Sequence, residues 1–263
     1  MRLTTNGIDI HYTIEGAGPV VTLSHSLGCN LTMWDAQAEV LKERYRVLRF
    51  DTRGHGKTSA PSGPYTLEQM VSDVHGLLTG LGITHTHFVG LSMGGMIGQL
   101  FALEHSEMIS NLVLCDTTSR WPQAVWSLWE ERIRTVQTGG MEPMVEPTIE
   151  RWFSAPFRER CRDVTDRVRE MLRQTPPDGY IGCCHAIPKI DATDRLHAVS
   201  CPTLVIVGED DPATPVEMAR TIHTAIPSAE LVVLHSASHL SNVEQPEAFN
   251  RVLLDFLDSN ANT

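Results

Sequence analysis

Three residue types that together carry out nucleophilic acyl transfer occur in this chain in the order Ser92, Asp211, His239. Ser92 lies in Gly90-Leu91-Ser92-Met93-Gly94-Gly95, after the apolar run through Phe88 and Val89 and before Met96, Ile97, Leu100 and Phe101. The first run reads as a buried strand and the second recurs at helical spacing, so the serine occupies the turn between them. The flanking glycines suit a sharp turn packed closely on both sides, the pattern of a nucleophile elbow. Its hydroxyl would then stand at a helix N-terminus, where free N–H groups favour negative charge.

A serine needs a base to take its proton, and the base needs an acid to orient it. For the base, the loop Leu234-His235-Ser236-Ala237-Ser238-His239-Leu240 is the expected place, with Glu244-Gln245-Pro246 opening a final helix beyond it. Of 12 histidines, His239 has that setting; His85, His87 and His185 read as ordinary core or surface residues. In Gly208-Glu209-Asp210-Asp211-Pro212-Ala213-Thr214-Pro215 two aspartates compete for the acid, and Asp211, three residues past Gly208, has the favoured placement. Asp116, at the end of the preceding strand, is a lesser rival. An oxyanion needs two donors. Met93 N–H follows the nucleophile directly, and in His25-Ser26-Leu27-Gly28 the second falls on Leu27 N–H. Ser26 stands where glycine is commoner and adds a hydroxyl near the hole.

The elements that must position these groups follow from the chain order. Asn6-Gly7 between extended stretches predicts a hairpin within Leu3 to Ile14. Val20 to Leu23, Arg46 to Phe50, the elbow strand and Asn111 to Cys115 read as strands. A helix is predicted near Trp34 to Lys42, and another starts at Thr66, which can be capped with Gln69. The alternation implies parallel pairing with helices on both faces of the sheet. It stops after Thr118, where helical stretches broken by Gly139-Gly140, Pro147 and Pro176-Pro177 take over, and resumes at Thr203. Residues 1–117 and 196–263 are therefore expected to form one α/β core, with 118–195 inserted as a helical lid.

The chain of 263 residues can bury a full core, and its net charge of −11 argues against nucleic acid or anionic membrane as partners. All of the excess lies outside the predicted lid, which carries 12 basic and 12 acidic residues. That lid also holds four of the five tryptophans, Trp121, Trp126, Trp129 and Trp152, where a substrate pocket is expected. No apolar run reaches spanning length, and the N-terminus has no apolar signal region, so the expected location is cytoplasmic. The six cysteines have neither disulfide nor zinc spacing and read as reduced, mostly buried thiols. Cys183-Cys184-His185 is not expected to bind metal, since adjacent residues rarely converge on one ion.

Taken together, these residues resemble the α/β-hydrolase superfamily over essentially the full length. Within it, Ser26-Leu27-Gly28 with Met33-Trp34-Asp35, Asp51-Thr52-Arg53-Gly54-His55-Gly56, Gly179-Tyr180-Ile181-Gly182-Cys183-Cys184, Asp211-Pro212-Ala213-Thr214-Pro215 and Ser238-His239-Leu240 look like the bacterial 3-oxoadipate enol-lactonases of the β-ketoadipate pathway. The Gly-Tyr-x-x-Cys-Cys segment falls in the lid, the part that differs most among hydrolases. The resemblance implies the α/β-hydrolase fold and opening of an enol-lactone through an acyl-enzyme, with no cofactor and no metal. Such a substrate carries a free carboxylate, so an acidic protein must present local positive charge. Arg132 and Arg134, on the lid helix after Trp129, are the expected clamp, with Trp126 and Trp129 beside them. Carboxylesterases, acyl-homoserine lactonases and carbon–carbon bond hydrolases share fold and triad, so they stay open, as does the choice between monomer and homo-oligomer.

Overall fold

A computed structural model describes residues 1–260. The chain begins with β1 (Arg2–Thr5) and β2 (Ile8–Glu15), an antiparallel hairpin. Its turn residues Asn6 and Gly7 both have positive φ, as a tight two-residue hairpin turn requires. β3 (Val20–Ser24) leads through a 3-10 turn at Leu31–Trp34 into α1 (Asp35–Leu41). β4 (Arg46–Phe50) follows, then α2 (Leu67–Gly80), which starts with the predicted capping box of Thr66 and Gln69. β5 (Thr86–Leu91), α3 (Met93–Glu104) and β6 (Ile109–Cys115) complete the first half.

Helices then run without a strand. They are α4 (Trp126–Gly139), α5 (Glu142–Trp152), α6 (Ala155–Arg160), α7 (Arg162–Gln174) and α8 (Pro177–Ala186). One expectation fails here: α5 continues through Pro147. Proline removes one i−4 hydrogen bond, and the burial of Val145, Ile149 and Trp152 on either side holds the helix together across that gap. Alternation resumes with β7 (Thr203–Gly208), α9 (Val216–Ala225) and β8 (Ala229–Leu234), and the short α10 (Ser241–Glu244) precedes α11 (Pro246–Ser259).

The eight strands form one sheet in the order β1-β2-β4-β3-β5-β6-β7-β8. Pairing is parallel from β4 to β8 and antiparallel at the hairpin end. Alternate residues of β5 feed the two faces: Phe88 belongs to the core cluster that includes Leu77, Ile97 and Phe101, whereas Val89 and Leu91 belong to the one that includes Trp34, Phe249 and Leu253. β5 is thus buried on both sides, which fixes the strand that carries the elbow. Among the described residues no helix is long and apolar enough to cross a membrane.

The helices between β6 and β7 are tied to the sheet edge at defined points. A Cβ at Gly179 of α8 would lie 1.9 Å from the Gly54 carbonyl oxygen, so the loop after β4 and α8 meet backbone to backbone. On the outer side, Arg169 and Arg173 of α7 each pair with a glutamate of α5, Glu146 and Glu142.

Candidate active site

Ser92 sits between β5 and α3 with φ +55° and ψ −113°, a strained conformation for a side chain with a Cβ. The surroundings hold it there. Its N–H donates to the Cys115 carbonyl at 2.9 Å, and its own carbonyl accepts the Thr117 hydroxyl at 2.7 Å. Gly94 explains part of the spacing: a Cβ there would stand 2.1 Å from the Ser24 carbonyl oxygen of β3.

The loops after β7 and β8 bring two further side chains to this turn. His239 Nε2 lies 3.0 Å from Ser92 Oγ, and His239 Nδ1 lies 2.9 Å from Asp211 Oδ2. Asp211 Oδ1 accepts the N–H groups of Ala213 and Thr214, and its Oδ2 also accepts the Thr214 hydroxyl at 2.7 Å. Burial alone would raise this carboxyl, but the His239 charge and the donors from His239 and Thr214 outweigh it and hold its pKa below the ordinary value. An ionised Asp211 keeps the proton of a neutral His239 on Nδ1, which leaves the Nε2 lone pair facing Ser92.

The rival Asp116 is buried beside this group and turned elsewhere. Its Oδ1 accepts the Gly208 N–H at 2.8 Å and its Oδ2 accepts the Ser241 hydroxyl at 2.5 Å. Burial, reinforced by the Asp211 charge, keeps the Asp116 carboxyl well above the ordinary range. It fastens β7 and α10 together, while His239 takes Asp211.

The loop that presents Leu27 is fixed by two buried histidines. His25 Nε2 accepts the Thr52 N–H at 2.9 Å and its Nδ1 faces the Ser26 carbonyl at 2.8 Å. His55 Nε2 accepts the Gly28 N–H at 2.9 Å, and its Nδ1 faces the Arg53 carbonyl. Each ring donates and accepts once, which requires the neutral form. Burial, with each other's proximity in the case of His55, lowers both pKa values, that of His55 to about 3. Among the described residues the Leu27 N–H has no hydrogen-bond partner, and Met93 is the first residue of α3, where N–H groups have no partner within the helix.

A cavity of about 400 Å³ lies over Ser92, Leu27 and His239. Its opposite wall comes from the helices, including Trp129, Arg132, Arg151, Trp152 and Tyr180. Of the four side chains expected at a substrate pocket, two line this cavity. Trp129 and Arg132 line the cavity, with the guanidinium 4.5 Å from the centre of the indole ring. Trp126 is 39% exposed and Arg134 is exposed, and neither lines the cavity. At about 100° per residue, Leu128, Trp129 and Arg132 share one arc of α4, from which Trp126 lies to the side and Arg134 opposite.

Arg151, which the sequence does not single out, lines the cavity together with Arg132. Among the described residues its only side-chain hydrogen bond is a long one, 3.4 Å to the Thr148 hydroxyl, and no carboxylate pairs with it. Burial first, then the neighbouring Arg132, pushes its pKa down to about 10, so it is still a cation at neutral pH. One signal was available: Thr148, Arg151 and Trp152 sit at i, i+3 and i+4 of one helix face. Nothing local in charge or residue type separates Arg151 from the other arginines between β6 and β7.

Cys183 and Cys184 are buried thiols whose pKa burial raises, that of Cys184 to about 12. Among the described residues no group of three or more His, Cys, Asp or Glu is placed to hold a metal ion.

A sheet of this order with a serine on the β5–α3 turn defines a class of proteins, and the chain belongs to it: the family described as alpha/beta hydrolase fold matches residues 19–246. Within that family the chain is 36% identical over 253 residues to 3-oxoadipate enol-lactonase 2 of Acinetobacter baylyi, covering 95% of this chain and 94% of the relative. The enol-lactonase structure from Burkholderia xenovorans LB400 superposes with a TM-score of 0.95 at 38% identity, over 98% of this chain and 100% of that one. A malate-bound thermophilic esterase from Thermogutta terrifontis superposes with a TM-score of 0.94 at 31% identity, over 99% of both chains.

Proposed function

We propose that this protein is a serine hydrolase that opens a carboxylated lactone through an acyl-enzyme, with 3-oxoadipate enol-lactone as the substrate and 3-oxoadipate as the product. Ser92 attacks the ring carbonyl as its proton passes to His239 Nε2. Asp211 holds the imidazole and stabilises the imidazolium that forms. The N–H groups of Leu27 and Met93 receive the oxyanion. Collapse breaks the ring C–O bond, His239 returns its proton to the departing enol oxygen, and the enol becomes a ketone. Water then attacks the acyl carbon, giving up a proton to His239, and releases the acid with Ser92 restored. The helices from α4 to α8 act as the lid that closes the cavity over this chemistry.

The observation that carries the reading is the pairing of the Ser92–His239–Asp211 relay, at 3.0 and 2.9 Å, with the half-buried Arg151 guanidinium across the same cavity, which among the described residues has no carboxylate partner. A carboxylate on the substrate supplies that anion, received by Arg151 and Arg132 as a charge-assisted pair. The similarity to two enol-lactonases supports the same substrate, and malate in the related esterase supports a site that accepts carboxylates.

A second reading, a general carboxylesterase, is favoured by the mouth of the cavity, where exposed Leu128 stands among Val125 and Trp121 and suits an uncharged acyl or alkyl chain. A hydrolysis panel separates the two. The enol-lactone is expected to exceed p-nitrophenyl acetate, an acyl-homoserine lactone and a vinylogous diketone in kcat/KM by about 10²-fold or more, as about 3 kcal/mol of charge-assisted binding requires. Equal turnover of p-nitrophenyl acetate would favour the esterase.

A further inference from the structure

Ser26 carries a hydroxyl that no described part of the protein uses. The residue is 1% exposed, and its Oγ has no hydrogen-bond partner among the described residues. Leaving a buried hydroxyl unpaired costs about 1–3 kcal/mol, so an unpaired one in a native site asks for a reason. Its neighbours are engaged. The Ser26 carbonyl accepts the Cys29 N–H at 3.1 Å and faces His25 Nδ1, the Gly28 N–H donates to His55, and the Gly28 carbonyl accepts the Thr175 hydroxyl. Two donors at adjacent positions of this fixed loop are left over, the Leu27 N–H and the Ser26 O–H. Both residues line the cavity that contains Ser92 and His239.

We propose that the Ser26 hydroxyl is a third oxyanion donor, acting beside the Leu27 and Met93 N–H groups. The inference rests on the acyl-transfer reading above. As Ser92 Oγ bonds to the carbonyl carbon and its proton moves to His239, the carbonyl π pair moves onto oxygen. The Ser26 O–H donates to that oxygen. The oxyanion is a stronger acceptor than the ground-state carbonyl, so the contribution of this donor falls mainly on the transition state rather than on substrate binding. The loop that holds it is locked by His25 and His55, so the donor needs no loop rearrangement at the moment of reaction.

Ser26→Ala tests this with p-nitrophenyl acetate as substrate and a small alkyl boronic acid as the tetrahedral mimic. Removal of one oxyanion donor costs roughly 10²-fold. The expected result is a fall in kcat of about 10- to 100-fold with KM within about threefold, matched by the same loss in boronate affinity, and a melting temperature that does not fall. A well-folded Ser26→Ala protein with kcat and boronate affinity within about twofold of the parent would overturn the proposal. If the alanine variant does not fold, Ser26→Cys, nearly the same size and a weak donor, carries the same comparison. A Ser92→Ala control keeps the two readings apart: full activity in that variant removes the acyl-transfer reading itself, whereas a silent Ser26 variant in a Ser92-dependent enzyme removes only the third donor.

Discussion

Two regions face each other across the cavity, and they commit their charged groups differently. On the sheet side, Asp211 is saturated by the Ala213, Thr214 and His239 donors, and Asp116 by Gly208 and Ser241. On the helical side, Arg169 and Arg173 are paired on the outer surface, yet Arg151 and Arg132 line the cavity with no carboxylate partner among the described residues. The floor is a finished hydrogen-bond network and the roof is an unfinished one. Under the proposed function, the floor makes and breaks bonds, which needs fixed geometry, and the roof selects a ligand that completes it.

The largest effects should come from the floor. Ser92→Ala is expected to lower kcat by about 10³-fold or more, measured as ester or lactone hydrolysis, and retained activity would break the comparison at its base. Asp211→Asn should cost about 10²- to 10⁴-fold in kcat because the imidazole loses its orienting charge. Asp116→Asn, which leaves the His239 partner intact, should cost less than about tenfold; equal losses in the two variants would mean that Asp116 shares the acid's work.

Effects in the roof should be smaller and should depend on the substrate. Arg151→Met is expected to lower kcat/KM for a carboxylated lactone by about 10- to 100-fold while leaving p-nitrophenyl acetate within about threefold. Removing a half-buried charge that has no carboxylate partner among the described residues should also leave the melting temperature unchanged or raise it. A uniform loss on both substrates would show that Arg151 shapes the cavity instead of reading an anion. Trp126→Ala and Arg134→Ala, outside the cavity, should each stay within about twofold of the parent on either substrate.

The two histidines under the floor predict a pH dependence of stability. A folded-state His55 pKa near 3, below the unfolded value of about 6.5, means that the unfolded chain binds the proton first as pH falls. The contribution is fully present above about pH 6.5 and is lost progressively toward pH 3, with His25 shifted in the same direction. Urea midpoints should therefore drop between pH 7 and pH 5, and His55→Gln should flatten part of that slope. An unchanged slope would place the titration elsewhere.

Much of the fold could be read along the chain because its signals are local. The Asn6-Gly7 turn, the Thr66–Gln69 capping box and the run from strand to glycine-flanked serine each fix a backbone state within a few residues. Pro147 misled because a local rule met a helix held by long-range packing of Val145, Ile149 and Trp152. The roof was half legible for the same reason. Trp129 and Arg132 share one helix arc with each other, but which arc faces the sheet depends on how α4 packs on α8 and α5.

The sequence by itself determined the alternation of strands and helices, the turn that carries Ser92 and the loops from which Asp211 and His239 come, since these follow from short-range periodicity and from residues with special backbone preferences. Only the tertiary structure decided that His239 meets Asp211 and not Asp116, that Arg151 and not Arg134 lines the cavity with Arg132, and that among the described residues the Ser26 hydroxyl has no partner. Those outcomes depend on distances between segments far apart in the chain, and such distances are set by packing of the whole core against the helices above it.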